Sequence, residues 1–326
     1  MPTSASTGKR NMTLIASVSR SSGLERGGDD SLKDHGIQEE YLPTFPTSDP
    51  YSSGKLREGI SASKRSDAFA IEAYETSLFL AVISGNHRRI SPIVSQITPE
   101  LYTEIKGPHP NAALAFTIAL LYHLAASFPS QAVFQQQLAS FQQGSSPLVP
   151  LGSPEYAWIR SLAASLRQMN VARFGRLTSP SALPLSESDK LARAVDDLSL
   201  GERTASATTQ SPTAVCSSTT VPRSSRTLAE NALHAALDML REKVREHAWD
   251  VLRAAYKELS STADGAPWLA RSLALDIEPG SVEGEPGSKD EASGSQDLAR
   301  WLERQAQLGR VKRKEGVEGR WLVCKS

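Results

Sequence analysis

The stretch TLAENALHAALDMLREKVREHAWDVLRAAYKEL, residues Thr227 to Leu259, contains neither glycine nor proline. Leu233, Leu237, Leu240, Val244, Ala248, Val251, Ala255 and Leu259 step along it by three or four, the spacing that gathers apolar side chains on one face of an α-helix. It reads as one very long helix or two abutting ones. Downstream, Ala266-Pro267 opens a short helix over Trp268 to Leu275, since proline suits a first helical turn. A third helix, Gln296 to Leu308, carries Leu298, Trp301 and Leu302. The tail GRVKRKEGVEGRWLVCKS then supplies two extended pieces, Arg310 to Arg313 and Arg320 to Cys324, around a turn with Gly316 and Gly319. The expectation for residues 227–326 is therefore a set of helices followed by a small hairpin.

Upstream the apolar period is again helical. In Asp67 to Ser84, Ile71, Tyr74, Leu78, Ala81 and Val82 share a face, Ser66 or Asp67 can cap the start, and Gly85-Asn86 can end it. This predicts an amphipathic helix. A shorter piece holds Ile90, Ile93, Val94 and Ile97, with Pro92 in its first turn after Ser91, and Pro99 opens another turn with Leu101 and Tyr102. Pro110-Asn111 starts an oily helix to Ser127, Pro129-Ser130 restarts one to about Phe141, and two more follow around Trp158 to Leu166 and Val171 to Leu177. Short polar links between helices favour antiparallel packing of neighbours. With no strict repeat, residues 66–200 read as an irregular, tetratricopeptide-like helical solenoid.

Composition bounds the rest. The chain has 326 residues, 36 lysines plus arginines and 36 aspartates plus glutamates, so attraction to a polyanion or membrane surface must come from a local patch. Hydrophobic residues make up 39%, below the roughly 45–50% of compact domains, which predicts unpacked segments. Residues 1–65, rich in Ser, Gly, Pro and charge, read as a disordered arm. Residues 201–226 read as a Ser/Thr-rich linker, and 278–295 as an acidic loop inserted between two helices. The longest oily run, Ala112 to Ala126, is interrupted by Thr117, Tyr122 and His123 and is shorter than the ~20 residues of a membrane span. The first residues lack a continuous apolar stretch for a secretion signal, and two cysteines, Cys216 and Cys324, suit a reducing compartment.

Local residues carry a resemblance. YETSLFLAVISGNHRRISPIVSQITPELY (Tyr74 to Tyr102) is similar to a family pattern of tyrosine-glutamate helix, Gly-Asn turn, apolar helix and Leu-Tyr end. IALLYHLAASFPSQAVFQQQLASF resembles the helix pair that follows it, EYAWIRSLAASLRQMNVARFGRL the helices closing the solenoid, and MLREKVREHAWDVLRAAYKEL the long helix ending in Ala-Tyr and a basic residue. Helices followed by a hairpin resemble a winged helix, and a solenoid running into a winged helix resembles the PCI domain of the proteasome lid, signalosome, initiation-factor and mRNA-export scaffolds. The resemblance covers about Ala68 to Leu177 and Leu228 to Val323. It is strongest to the branch of proteasome lid non-ATPase subunit 8, signalosome subunit 8 and initiation factor subunit k, with GANP and Thp-type export proteins close behind. It implies a mainly α fold and a non-catalytic scaffold subunit, cytoplasmic and nuclear, whose partners are other PCI-domain subunits joined through winged-helix sheet edges. With Ser326 two residues past the last extended piece, no bundling helix is expected there, and assembly would lean on the edge.

For that edge the expected anchors are Val311, Trp321, Leu322 and Val323. The wing is also basic: Arg310, Lys312, Arg313, Lys314, Arg320 and Lys325 face only Glu315 and Glu318. Three readings stand side by side. The charges keep an edge strand soluble, contact an RNA or DNA backbone in a GANP-like adaptor, or meet an acidic protein. Trp321 reads as a plug for the core of this segment. No phosphate-binding loop, HExxH pair or nucleophile elbow occurs, so no catalytic residue, metal, cofactor, small-molecule substrate or membrane partner is expected.

Overall fold

Asp67 accepts a hydrogen bond from the Ala70 amide at 3.1 Å, capping the helix that the Tyr74 pattern predicts. In the computed structural model, which describes residues 32–44, 50–97, 101–102, 109, 111–142, 151–184, 223–275 and 291–324, eleven α-helices and three short strands are present among the described residues. The helices are α1 (His35–Tyr41), α2 (Pro50–Ser63), α3 (Ala68–Ile83), α4 (His87–Val94), α5 (Ala112–Ser127), α6 (Ala132–Ser140), α7 (Pro154–Arg167), α8 (Val171–Thr178), α9 (Arg223–Ala255), α10 (Ala266–Ser272) and α11 (Glu291–Gln307). The strands are β1 (Glu258–Ser260), β2 (Val311–Arg313) and β3 (Arg320–Val323). The protein is thus mainly helical with a small sheet.

The chain divides into two compact units. One comprises Met1–Tyr122, Gln135–Val149 and Val221–Ala236, the other His123–Phe134, Pro150–Thr220 and Leu237–Ser326. In the first, α3 is buried nearly all round: Ala73, Ser77 and Phe79 lie inside together with the expected Ile71, Tyr74 and Leu78. It is a core helix rather than an amphipathic one, because α2 packs against it as well as α4.

That α2 exists corrects the expectation of a disordered arm over residues 1–65. Residues 35–41 and 50–63 are helical, and Leu32, Ile37, Tyr41, Leu56 and Ile60 are buried; residues 1–31 and 45–49 lie outside the described residues. Low average hydrophobicity concealed a few well-placed apolar positions. Gly59 lets the chain at Leu32 lie directly on α2, where any Cβ would collide with the Leu32 carbonyl. Arg65 then staples the region. Its guanidinium donates to both Asp67 carboxylate oxygens (2.8 Å), to Glu39 (2.6 Å), to Gln38 and to the His35 carbonyl (3.2 Å each), and lies over the Phe69 ring. Gln38, fully buried, donates to the Leu32 carbonyl at 2.7 Å and to Ser63 Oγ at 3.1 Å.

A second buried polar knot joins α3 to later residues of the same unit. The Tyr102 hydroxyl donates to the buried Glu75 carboxylate at 2.9 Å, and His109 Nδ1 lies 3.1 Å from the same oxygen. Burial first, and then the Glu75 charge and hydrogen bond, push the Tyr102 hydroxyl pKa well above its ordinary value. Helix α4 begins at His87, earlier than expected, and contains Pro92 in its interior. The turn at Gly85, with φ of 64°, delivers the chain straight from α3 into it.

In the second unit, Ser153 caps α7 and Asn170 caps α8, and the Trp158 indole donates to the Leu177 carbonyl at 2.8 Å. Helix α9, whose residues 223–236 are counted with the first unit and 237–255 with the second, is one continuous element that starts four residues before the expected Thr227 and stops at Ala255. Leu259, expected on its apolar face, belongs instead to β1. Val251 and Ala255 face solvent, while Trp249 and Leu252 are buried. Helix α11 begins at Glu291, inside the expected loop of 278–295; residues 276–290 and most of the expected linker, 201–222, lie outside the described residues.

Candidate assembly interface

Leu259 pairs with Trp321 and Lys312 with Leu322 in an antiparallel sheet of order β1-β3-β2. The expected hairpin has gained a third strand, and β3 lies in the middle of the sheet. The expected edge therefore needs correction: Trp321, Leu322 and Val323 are on the central strand, and the free edges are β1 and β2. The Lys314 amide donates to the Arg320 carbonyl and the Cys324 amide to that of Arg310, both at 2.9 Å. By antiparallel alternation the main-chain groups of Val311 and Arg313 are then directed away from β3. Among the described residues no backbone group bonds to them.

The expected anchors part company here. Val311 (1% exposed) and Trp321 (5%) are core residues, packed with Trp249, Leu269, Trp301 and Leu302, so neither is available to a partner. Trp249 and Trp301 meet edge to face with centroids 4.7 Å apart. The Trp321 indole donates to Ser261 Oγ at 3.1 Å, consistent with a plug. Val323 packs against the same core. Only Leu322 is exposed, at 41%, with Lys312 and Glu258 beside it in the sheet register.

The turn that precedes β3 depends on Gly316 and Gly319, at φ of 76° and 71°, and the Gly319 carbonyl accepts the Ser261 amide at 2.7 Å. Along it the basic wing is largely matched by acids that lie elsewhere in the chain. Arg313 donates to Glu303 at 2.5 Å and lies over the Trp321 ring. Lys314 and Arg320 both reach Glu258, at 3.0 and 3.3 Å. The hydrogen bond from Lys314, with its charge and that of Arg320, holds the Glu258 carboxyl below its ordinary value. Arg310 donates to the Gln305 side chain at 3.2 Å, and Lys312 stands exposed. Lys325 lies outside the described residues. Sequence reasoning missed Glu258 and Glu303 because one sat at the end of an apparent helix and the other in the helix ahead of the wing.

Glu75, Tyr102 and His109, though close together, are packed within the first unit, and burial also lowers the pKa of the His123 imidazole. Among the described residues no group of three His, Cys, Asp or Glu is arranged to hold a metal ion, and no helix is long and apolar enough to cross a membrane. Cys216 lies outside the described residues, and Cys324 is partly exposed. No family model matches the chain, and no curated protein matches its sequence.

Proposed function

We propose that the protein is a non-catalytic scaffold subunit of PCI type, acting in the cytoplasm and nucleus within a multi-subunit complex of the proteasome-lid, signalosome or initiation-factor kind. The observation that carries this reading is the order α9, β1, α10, α11, β2, β3 with sheet order β1-β3-β2, the connectivity of a winged helix, preceded in the chain by successive short-linked helices. The outward main-chain groups of β2 support docking by strand addition, in which backbone hydrogen bonds supply affinity and a few side chains supply selectivity. Lys312 and Leu322 on the exposed sheet face are the side chains placed to select a neighbour. The second reading, a GANP-like adaptor that grips RNA or DNA, draws less support, because Arg313, Lys314 and Arg320 already have carboxylate partners.

Affinity purification of the tagged full chain from its own cells, with mass-spectrometric identification, tests the proposal. Other PCI subunits are expected among the recovered proteins. Arg313→Pro, which removes one outward amide and leaves the β2–β3 ladder intact, combined with Leu322→Asp, is expected to abolish that recovery. Recovery of the chain as a folded, lone monomer would sink the reading.

A further inference from the structure

Two aromatic side chains outside the expected interface stand together at the surface of the second unit. Tyr256, just past the end of α9, is 43% exposed, and Trp268, in the first turn of α10, is 45% exposed. Their rings meet edge to face, with centroids 5.5 Å apart and planes at 70°. Single exposed apolar residues are ordinary on any protein. A touching Tyr–Trp pair held half out of water is different, because these residue types dominate the anchoring positions of protein interfaces. The exposed Pro267 adjoins Trp268.

Charge narrows the occupant. Lys257 directly follows Tyr256, and Arg271 lies one helical turn from Trp268 on the same face of α10. Both are exposed, and Arg271 spends only its Nε on the Pro267 carbonyl, at 3.1 Å. Among the described residues neither cation pairs with a carboxylate, unlike Arg313, Lys314 and Arg320. The acids of this stretch are Glu258, held by Lys314 and Arg320, and the exposed Asp264 in the turn before α10, which leaves one exposed acid against the two cations. An apolar centre with cations beside it complements a segment that carries an apolar side chain among carboxylates. Two cations beside one aromatic pair do not form the continuous basic track that single-stranded nucleic acid follows.

We propose that Tyr256 and Trp268 form a docking site for a short acidic segment of a protein partner, which seats one aromatic or aliphatic side chain against the two rings and sets carboxylates near Lys257 and Arg271. The site is separate from the β2 edge and does not rest on the scaffold reading.

Fluorescence polarisation with the full chain tests it, using a labelled synthetic peptide of alternating Asp and Glu around a central Phe-Leu pair. Comparison probes are the same peptide with Lys in place of each acid, the same peptide with Ser in place of Phe-Leu, and a uridine oligonucleotide. The acidic Phe-Leu peptide is expected to bind best and to weaken as salt rises. Trp268→Ala, and separately Lys257→Glu with Arg271→Glu, are each expected to weaken it by about tenfold or more. Lys312→Glu on the sheet face is expected to leave it unchanged. Circular dichroism checks that the variants are folded, and Tyr256→Ala replaces Trp268→Ala if the latter is not. No binding of the acidic peptide, equal binding of the lysine or serine peptide, preference for the oligonucleotide, or indifference to the folded aromatic and charge variants overturns the proposal.

Discussion

The first unit and the sheet-bearing end of the second solve the problem of cohesion differently. Around α1, α2 and α3 the chain buries polar groups, Gln38, Glu75 and the Arg65 guanidinium, and satisfies them with hydrogen bonds. Around α9, α10, α11 and the sheet it buries Trp249, Trp301 and Trp321 among leucines and leaves its ion pairs at the surface. The first arrangement fixes partners by direction and charge and is vulnerable to losing either member of a pair. The second depends on volume and shape, and tolerates loss of a surface charge far better than loss of a ring.

The largest expected effect tests the apolar side of this contrast. Trp249→Ala removes a buried indole that packs edge to face on Trp301, and the cavity is expected to cost about 3–5 kcal/mol in a denaturant titration. A loss under about 1 kcal/mol would mean that the cluster is not the source of cohesion. Next comes Tyr102→Phe, which leaves the buried Glu75 carboxylate without its hydroxyl donor; the expected loss is about 1–3 kcal/mol.

The same variant carries a pH signature. Because the folded-state pKa of Tyr102 is raised above 10.0, its contribution is fully present below pH 10.0 and is lost as pH rises past that value. Melting curves of the wild type are therefore expected to decline above that pH more steeply than those of Tyr102→Phe, and identical slopes would contradict the burial of this knot. The smallest effect is assigned to Glu258→Gln. The folded-state pKa of Glu258 is depressed below 4.5, so its contribution is present above 4.5 and is lost as pH falls through the folded value. The variant is expected to melt close to wild type near neutrality and to show a flatter decline in acid. A large loss near neutrality would show that surface pairs, rather than the tryptophan cluster, hold the sheet.

The elements that were legible in the sequence are those whose signal is local. Asp67 marks a helix start that is present in the structure, and Val311–Arg313 and Arg320–Val323 fall inside the expected extended pieces. Strand β1 was not legible. Three residues carry no period of their own, and Glu258–Ser260 becomes a strand only through pairing with β3 some 60 positions away. Helix α2 was hidden for a related reason. PYSSGKLREGISAS is a weak helix former that is held by α3 and by the chain at Leu32, and tertiary packing rather than propensity decides such segments. At the candidate interface the cations could be counted in the sequence, but their acidic partners could not be assigned. Trp321 could be recognised as a plug, whereas the central place of its strand required the register.

The position of β3 between its neighbours has a consequence for biogenesis. Residues 258–260 and 311–313 are made first on the ribosome, yet neither stretch touches the other in the sheet. Each must wait, unladdered, until residues 320–323 clear the exit tunnel and slot between them. Assembly of this sheet thus follows the synthesis of its central strand, and until then Leu259 and Val311 lack the ladder that seats them in the tryptophan cluster.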